Sequence, residues 1–119
     1  MNLGHTVGHA LEKLSGYHLR HGEAVAIGMI AAGRIAVALD RADPALVSRI
    51  EAALTAWRLP VRCPAFDVSE ICEVMMHDKK RRGRSLRWVL PRAVGQVEIA
   101  DDVPLDIVRS VLKDQGATS

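Results

Sequence analysis

Between Ala24 and Leu39 the only charged residue is Arg34, and Ala, Ile, Val and Met occupy nearly every side of the stretch. A helix that is apolar all round cannot sit on a surface; it must be covered by other elements on most of its faces. Glu23 to about Asp40 is therefore expected to be the central helix of a mainly α domain. The run is also shorter than the roughly 20 apolar residues that cross a bilayer, so a buried helix is expected and no membrane partner.

The remaining patterns supply helices to surround it. Leu3, Val7, Ala10, Leu11 and Leu14 share a helical face within residues 2–15, and Ser15-Gly16 supplies a stop. Asp43-Pro44 reads as an N-cap followed by Pro at the first helical position, ahead of a stripe of Leu46, Val47, Ile50, Leu54 and Trp57 that ends at Leu59-Pro60. Asp67 or Ser69 can cap a further helix through Ile71, Val74 and Met75 into Asp78-Lys79-Lys80, with the pattern broken at Arg81. Leu86 to Leu90 and Gln96 to Ile99 alternate as short strands joined across Pro91 to Gly95, a β-hairpin near residues 85–99. A C-terminal helix starting at Asp102-Val103-Pro104 carries Val103, Ile107, Val108, Val111 and Leu112. The expected fold is a helical bundle-like single domain over residues 1–119 with one short hairpin.

The 119 residues allow one core, too small for a nucleotide-binding sheet plus a catalytic domain of typical size. With 16 basic against 14 acidic residues, no overall field draws the chain to nucleic acid or to an acidic membrane. Cys63 and Cys72 have no zinc-site spacing around them and read as small apolar side chains. Nothing at Met1-Asn2-Leu3-Gly4-His5 has the basic and apolar regions of a signal peptide, which points to the cytoplasm.

Chemistry concentrates near the start. His5 and His9 are four apart, hence on one helical face with Cβ atoms roughly 5–6 Å apart, able to address one small object such as a metal ion or a phosphate. His21 and Glu23 stand at the edge of the central helix and bring the donor count to that of a metal site. From spacing alone, His5 pairs with His9 and His21 is the third imidazole. Gly4, Gly8 and Gly22 beside them allow close backbone approach, and Asn2 lies where a helix start can meet an anion. A second cluster, Lys79 to Arg84 with Arg87 and Arg92, reads as a phosphate clamp, a nucleic-acid patch or a solvated face. For most of these residues the solvated face is favoured, and aromatics at 3% of the chain speak against single-strand binding.

The run Asn2-Leu3-Gly4-His5-Thr6-Val7-Gly8-His9-Ala10-Leu11-Glu12, followed by His21-Gly22-Glu23-Ala24-Val25-Ala26-Ile27-Gly28-Met29, closely resembles the 3-dehydroquinate synthase family. Asp78-Lys79-Lys80 and Leu86-Arg87-Trp88-Val89-Leu90-Pro91 with Gly95 resemble the same family's C-terminal part. The pattern is shared by cyclases that make 2-deoxy-scyllo-inosose or valiolone-type rings and, more distantly, by iron-dependent glycerol dehydrogenases. The resemblance implies conversion of 3-deoxy-arabino-heptulosonate 7-phosphate to 3-dehydroquinate and phosphate in the shikimate pathway, with NAD and a divalent metal, zinc or cobalt. It implies that His5 and His21 are metal ligands and that His9 is a proton-transfer residue on the phosphate side, which replaces the pairing of His5 with His9. It further implies substrate binding by Asn2 and phosphate contact by Lys79 or Lys80, with Lys79 favoured.

The family's NAD-binding α/β domain, and the glutamate that is its third metal ligand, have no counterpart in these residues. The expectation is the distal, metal- and substrate-binding part of the helical domain, with no NAD-binding residues and no synthase activity alone. An N-terminal portion binding in trans, or self-association, would complete it. The alternatives are a non-catalytic helical module that binds metal, phosphate or a partner chain, and a portion of another sugar-phosphate cyclase such as 2-deoxy-scyllo-inosose synthase.

Overall fold

The computed structural model describes residues 5–82, 88–93, 96–100 and 103–118; of residues 78–82 only the helical backbone is described. Asn2 lies outside the described residues, as do the side chains of Lys79 and Lys80. Five helices and a hairpin follow in the order α1 (His5–Leu14), α2 (His21–Ala38), α3 (Pro44–Ala56), α4 (Val68–Arg82), β1 (Trp88–Ala93), β2 (Gln96–Ala100) and α5 (Leu105–Gln115).

The apolar helix is central, as its composition demands. α2 packs against α1, α3, β1 and α5, and its Ala24, Ile27, Ile30, Ala31, Ile35 and Ala36 are fully buried. By length and composition α2 could cross a bilayer, yet more than half of it is buried inside the protein. Leu11 of α1, Ile27 and Ile35 of α2, Ile71 and Met75 of α4, Leu90 of β1 and Val108 and Leu112 of α5 meet in one core. Ala26, Ile30 and Leu54 form a smaller one between α2 and α3.

Several local expectations hold. Asp43 caps α3 by accepting the backbone N–H of Ala45 at 2.9 Å, with Pro44 at the first helical position. Of the two candidates for α4, Asp67 is the cap, accepting from the backbone N–H of Ser69 at 2.7 Å.

Three expectations are corrected. Trp57 does not join the α3 stripe: the helix ends at Ala56, Arg58 takes a left-handed φ of 60°, and Trp57 is left 80% exposed. α4 runs through Arg81 to Arg82 rather than stopping short of them. Pro91 is not in the hairpin turn but within β1, beside a register irregularity between Pro91 and Ala93, the kind of position where a strand tolerates a residue with no N–H.

The C-terminus is tied down by polar groups rather than by the apolar stripe alone. Gln115 is buried, and its Nε2 donates to the carbonyls of Ile27 and Val61 at 2.9 and 2.8 Å. Backbone bonds from Cys63 N to Gln115 O (3.0 Å) and from Val68 N to Thr118 O (2.7 Å) fasten the same segment to the link before α4.

Cys63 and Cys72 are buried and free, as apolar residues would be. Burial pushes the Cys63 thiol from its ordinary 9.0 up to about 11. Burial also raises Cys72, opposed by the adjacent Arg109. The native protein is expected to resist thiol reagents at neutral pH, while the urea-unfolded chain titrates two thiols. The sign with pH follows from linkage. The unfolded thiol loses its proton first, so the stability that Cys63 contributes is complete below its ordinary value and falls as pH rises towards about 11, by at most about 1.4 kcal/mol per pH unit. Urea midpoints across that window should drop less steeply in Cys63→Ala; equal slopes would show that Cys63 does not carry the effect.

Candidate functional site

His5 and His9 lie one turn apart on α1, and His21 is the first residue of α2. The helices bring them together because α1 has no side chain at Gly8, where even a Cβ would stand 3.1 Å from the backbone oxygen of Ala24. Ring centroids are 5.5 Å apart for His5 and His9, 5.3 Å for His5 and His21, and 6.5 Å for His9 and His21. The three imidazoles form a triangle whose shortest side joins the two helices, not the two neighbours on α1.

The nitrogens are not equivalent. His21 Nδ1 lies 2.8 Å from Glu12 Oε1, so Nε2 is its remaining nitrogen. His5 Nδ1 is buried and has no hydrogen-bond partner. A buried polar atom without a partner costs roughly 1–3 kcal/mol, so the position calls for a ligand, a proton acceptor or an ion. Two imidazoles bound at about 2.0–2.1 Å to one tetrahedral ion have centroids about 5 Å apart, and the His5–His21 and His5–His9 separations both lie near that spacing.

Among the described residues no group of three or more His, Cys, Asp or Glu side chains is placed to hold a metal ion. Glu23, counted among the donors from sequence, is engaged at the start of α2, where its Oε1 accepts the backbone N–H of Arg20 at 2.9 Å. His18, in the link between α1 and α2, is exposed.

Glu12, which meets the His21 ring, has no role on the pattern alone. Its signal was present: positions 5, 9 and 12 follow the i, i+4, i+7 spacing of a single helical face.

The 3-dehydroquinate synthase C-terminal family matches residues 1–81. The chain belongs to that family. Curated relatives agree with the match: a 3-dehydroquinate synthase of Gloeobacter violaceus is 48% identical over 114 residues, covering 94% of this chain and 32% of the relative. One of Nostoc punctiforme is 45% identical over 115 residues, covering 95% and 32%. The chain thus spans about a third of the length of the curated relatives it matches.

Solved structures of two cyclases superpose on nearly the whole chain. A 2-deoxy-scyllo-inosose synthase complexed with carbaglucose-6-phosphate, NAD+ and Co2+ is 26% identical with a TM-score of 0.77, covering 95% of this chain and 32% of that one. A 2-epi-5-epi-valiolone synthase from Streptomyces hygroscopicus subsp. jinggangensis, with NAD+ and Zn2+ bound, shares the fold at a TM-score of 0.85 and 24% identity, covering 95% and 31%. The mainly helical architecture with one antiparallel hairpin is therefore that of the corresponding part of sugar-phosphate cyclases.

Proposed function

We propose that the chain is the metal- and substrate-binding portion of a cytoplasmic 3-dehydroquinate synthase, acting on 3-deoxy-arabino-heptulosonate 7-phosphate. The observation that carries the reading is the triangle of His5, His9 and His21, with an unpartnered buried nitrogen on His5 and the His21 ring held through Nδ1 by Glu12. The dehydroquinate-forming reaction is favoured over other cyclizations because relatives with that activity share 41–48% of residues, against 24–26% for the other cyclases.

In this reading His5 and His21 hold a zinc or cobalt ion, and a donor from outside the described residues completes its shell. Such an ion, when bound, polarises oxygen atoms of the substrate. His9 stays off the metal and keeps an imidazole nitrogen able to accept or give a proton on the phosphate side of the substrate. Asn2 binds substrate, and Lys79 or Lys80 meets the phosphate, carried on α4, which packs against α1. NAD finds no fit here: among the described residues the only sheet is a two-stranded antiparallel hairpin, whereas a dinucleotide is held by a parallel sheet with a glycine-rich turn. No hydride step is assigned to these residues.

Titrating the 119-residue chain with Co2+, followed by calorimetry and visible absorption, tests the assignment. His5→Ala and His21→Ala should each weaken binding on the order of a hundredfold, because each removes a protein donor. His9→Ala should bind Co2+ nearly as the wild type does. An equal loss in His9→Ala would restore the three-imidazole site and sink the division of roles. With NAD, metal and substrate supplied, the chain by itself is expected to release no phosphate.

A further inference from the structure

We propose that Glu12 is a positioning residue: its carboxylate locks the His21 ring in the tautomer and orientation that leave Nε2 for a divalent cation. The inference rests on the reading of His21 as a metal ligand. An ionised carboxylate can only accept hydrogen bonds, so the 2.8 Å contact between Glu12 Oε1 and His21 Nδ1 requires the hydrogen on Nδ1. In the neutral ring the lone pair then resides on Nε2. A histidine whose other nitrogen donates to a carboxylate is the common outer-shell arrangement around bound metals, where it fixes the ring and raises its basicity.

The pair is placed to orient a ring more than to stabilise the fold. Glu12 belongs to α1 and is only 15% exposed, so its carboxylate is held; His21 belongs to α2 and is 60% exposed, so without that partner little would fix its ring. Pairs this open to water contribute little to stability. Glu12 also stands on the face of α1 that carries His5 and His9, three residues beyond His9. The helix that carries two imidazoles thus aims the third, and Gly8 lets α1 come close to α2 beside the contact.

Two measurements on the 119-residue chain decide the matter. Long-range 1H–15N correlation, at a pH where imidazoles are neutral, should show His21 with its hydrogen on Nδ1 in the wild type and a mixture of tautomers in Glu12→Ala. Co2+ affinity should fall about 10–100-fold in Glu12→Ala, with the melting temperature unchanged. Glu12→Gln, which keeps an acceptor of the same shape, should recover the Nδ1–H form and part of the affinity, and it also serves where the alanine variant fails to fold. If Glu12→Ala and Glu12→Gln both bind Co2+ as the wild type does, while His21→Ala does not, the positioning role is overturned and the ligand assignment stands. A wild type that binds no better than His21→Ala overturns both.

Discussion

Gly116→Ala is expected to lose roughly 3–5 kcal/mol of stability, which would leave little of a fold whose total margin is about 5–15 kcal/mol. Two independent costs add at this position. Gly116 adopts a φ of 134°, a conformation that an L side chain enters only with strain, at about 1–3 kcal/mol. A Cβ there would also stand 2.5 Å from the backbone oxygen of Cys63. That oxygen cannot simply retreat, since the Cys63 N–H is bonded to Gln115 O and the Gln115 side chain is clasped between Ile27 and Val61. Urea denaturation measures the loss, with Gly22→Ala as the control. Gly22 is helical, and a Cβ there meets nothing within 4 Å, so alanine should be neutral or stabilising by up to about 1 kcal/mol. A Gly116→Ala midpoint close to that of Gly22→Ala would show that the C-terminal clasp yields more easily than its geometry indicates.

That clasp marks where pattern reading reached its limit. The position of α2 was legible because a helix apolar on every side has one solution, and the starts of α3 and α4 were legible because Asp43 and Asp67 each act on a backbone group two residues away. Gln115 acts across 88 residues on Ile27, and no local rule distinguishes it from a solvated glutamine at a helix end. Trp57 fails for the complementary reason: its spacing continues the α3 stripe, but the chain leaves the helix one residue earlier. Pro91 favours a turn by its usual preference, whereas the irregularity in β1 accommodates it inside the strand.

The site divides in the same way. His5, His9 and His21 were visible as a group from their spacing and glycine neighbours, and the structure brings all three together. Glu12 was visible only as a letter in the motif, because a contact between α1 and α2 depends on how closely the two helices cross. That distance is set by the absence of one side chain.

Gly8 is therefore the position at which packing and chemistry should fail together. Its Cβ would lie 3.1 Å from the Ala24 oxygen, 3.3 Å from the Ala24 carbonyl carbon and 3.4 Å from the Val25 Cα, all backbone atoms that cannot turn aside as a side chain does. In Gly8→Ala a shift of a few tenths of an ångström is offset by alanine's helix preference, worth up to about 1 kcal/mol, so stability should change little. Gly8→Val adds two methyl groups to the same contact, and overpacking of that kind costs about 1–3 kcal/mol. The wedge acts on the face of α1 that touches α2, three residues after His5 and one before His9, so it moves both rings away from His21 and stretches the bond from His21 to Glu12. Co2+ affinity in Gly8→Val is expected to fall about a hundredfold, as though a ligand had been removed, and Gly8→Ala should fall between it and the wild type. Calorimetric titration of both variants, beside their urea midpoints, separates the two effects. A Gly8→Val protein that is destabilised yet binds Co2+ as tightly as the wild type would mean that the two helices need not touch at Gly8 for the imidazoles to converge.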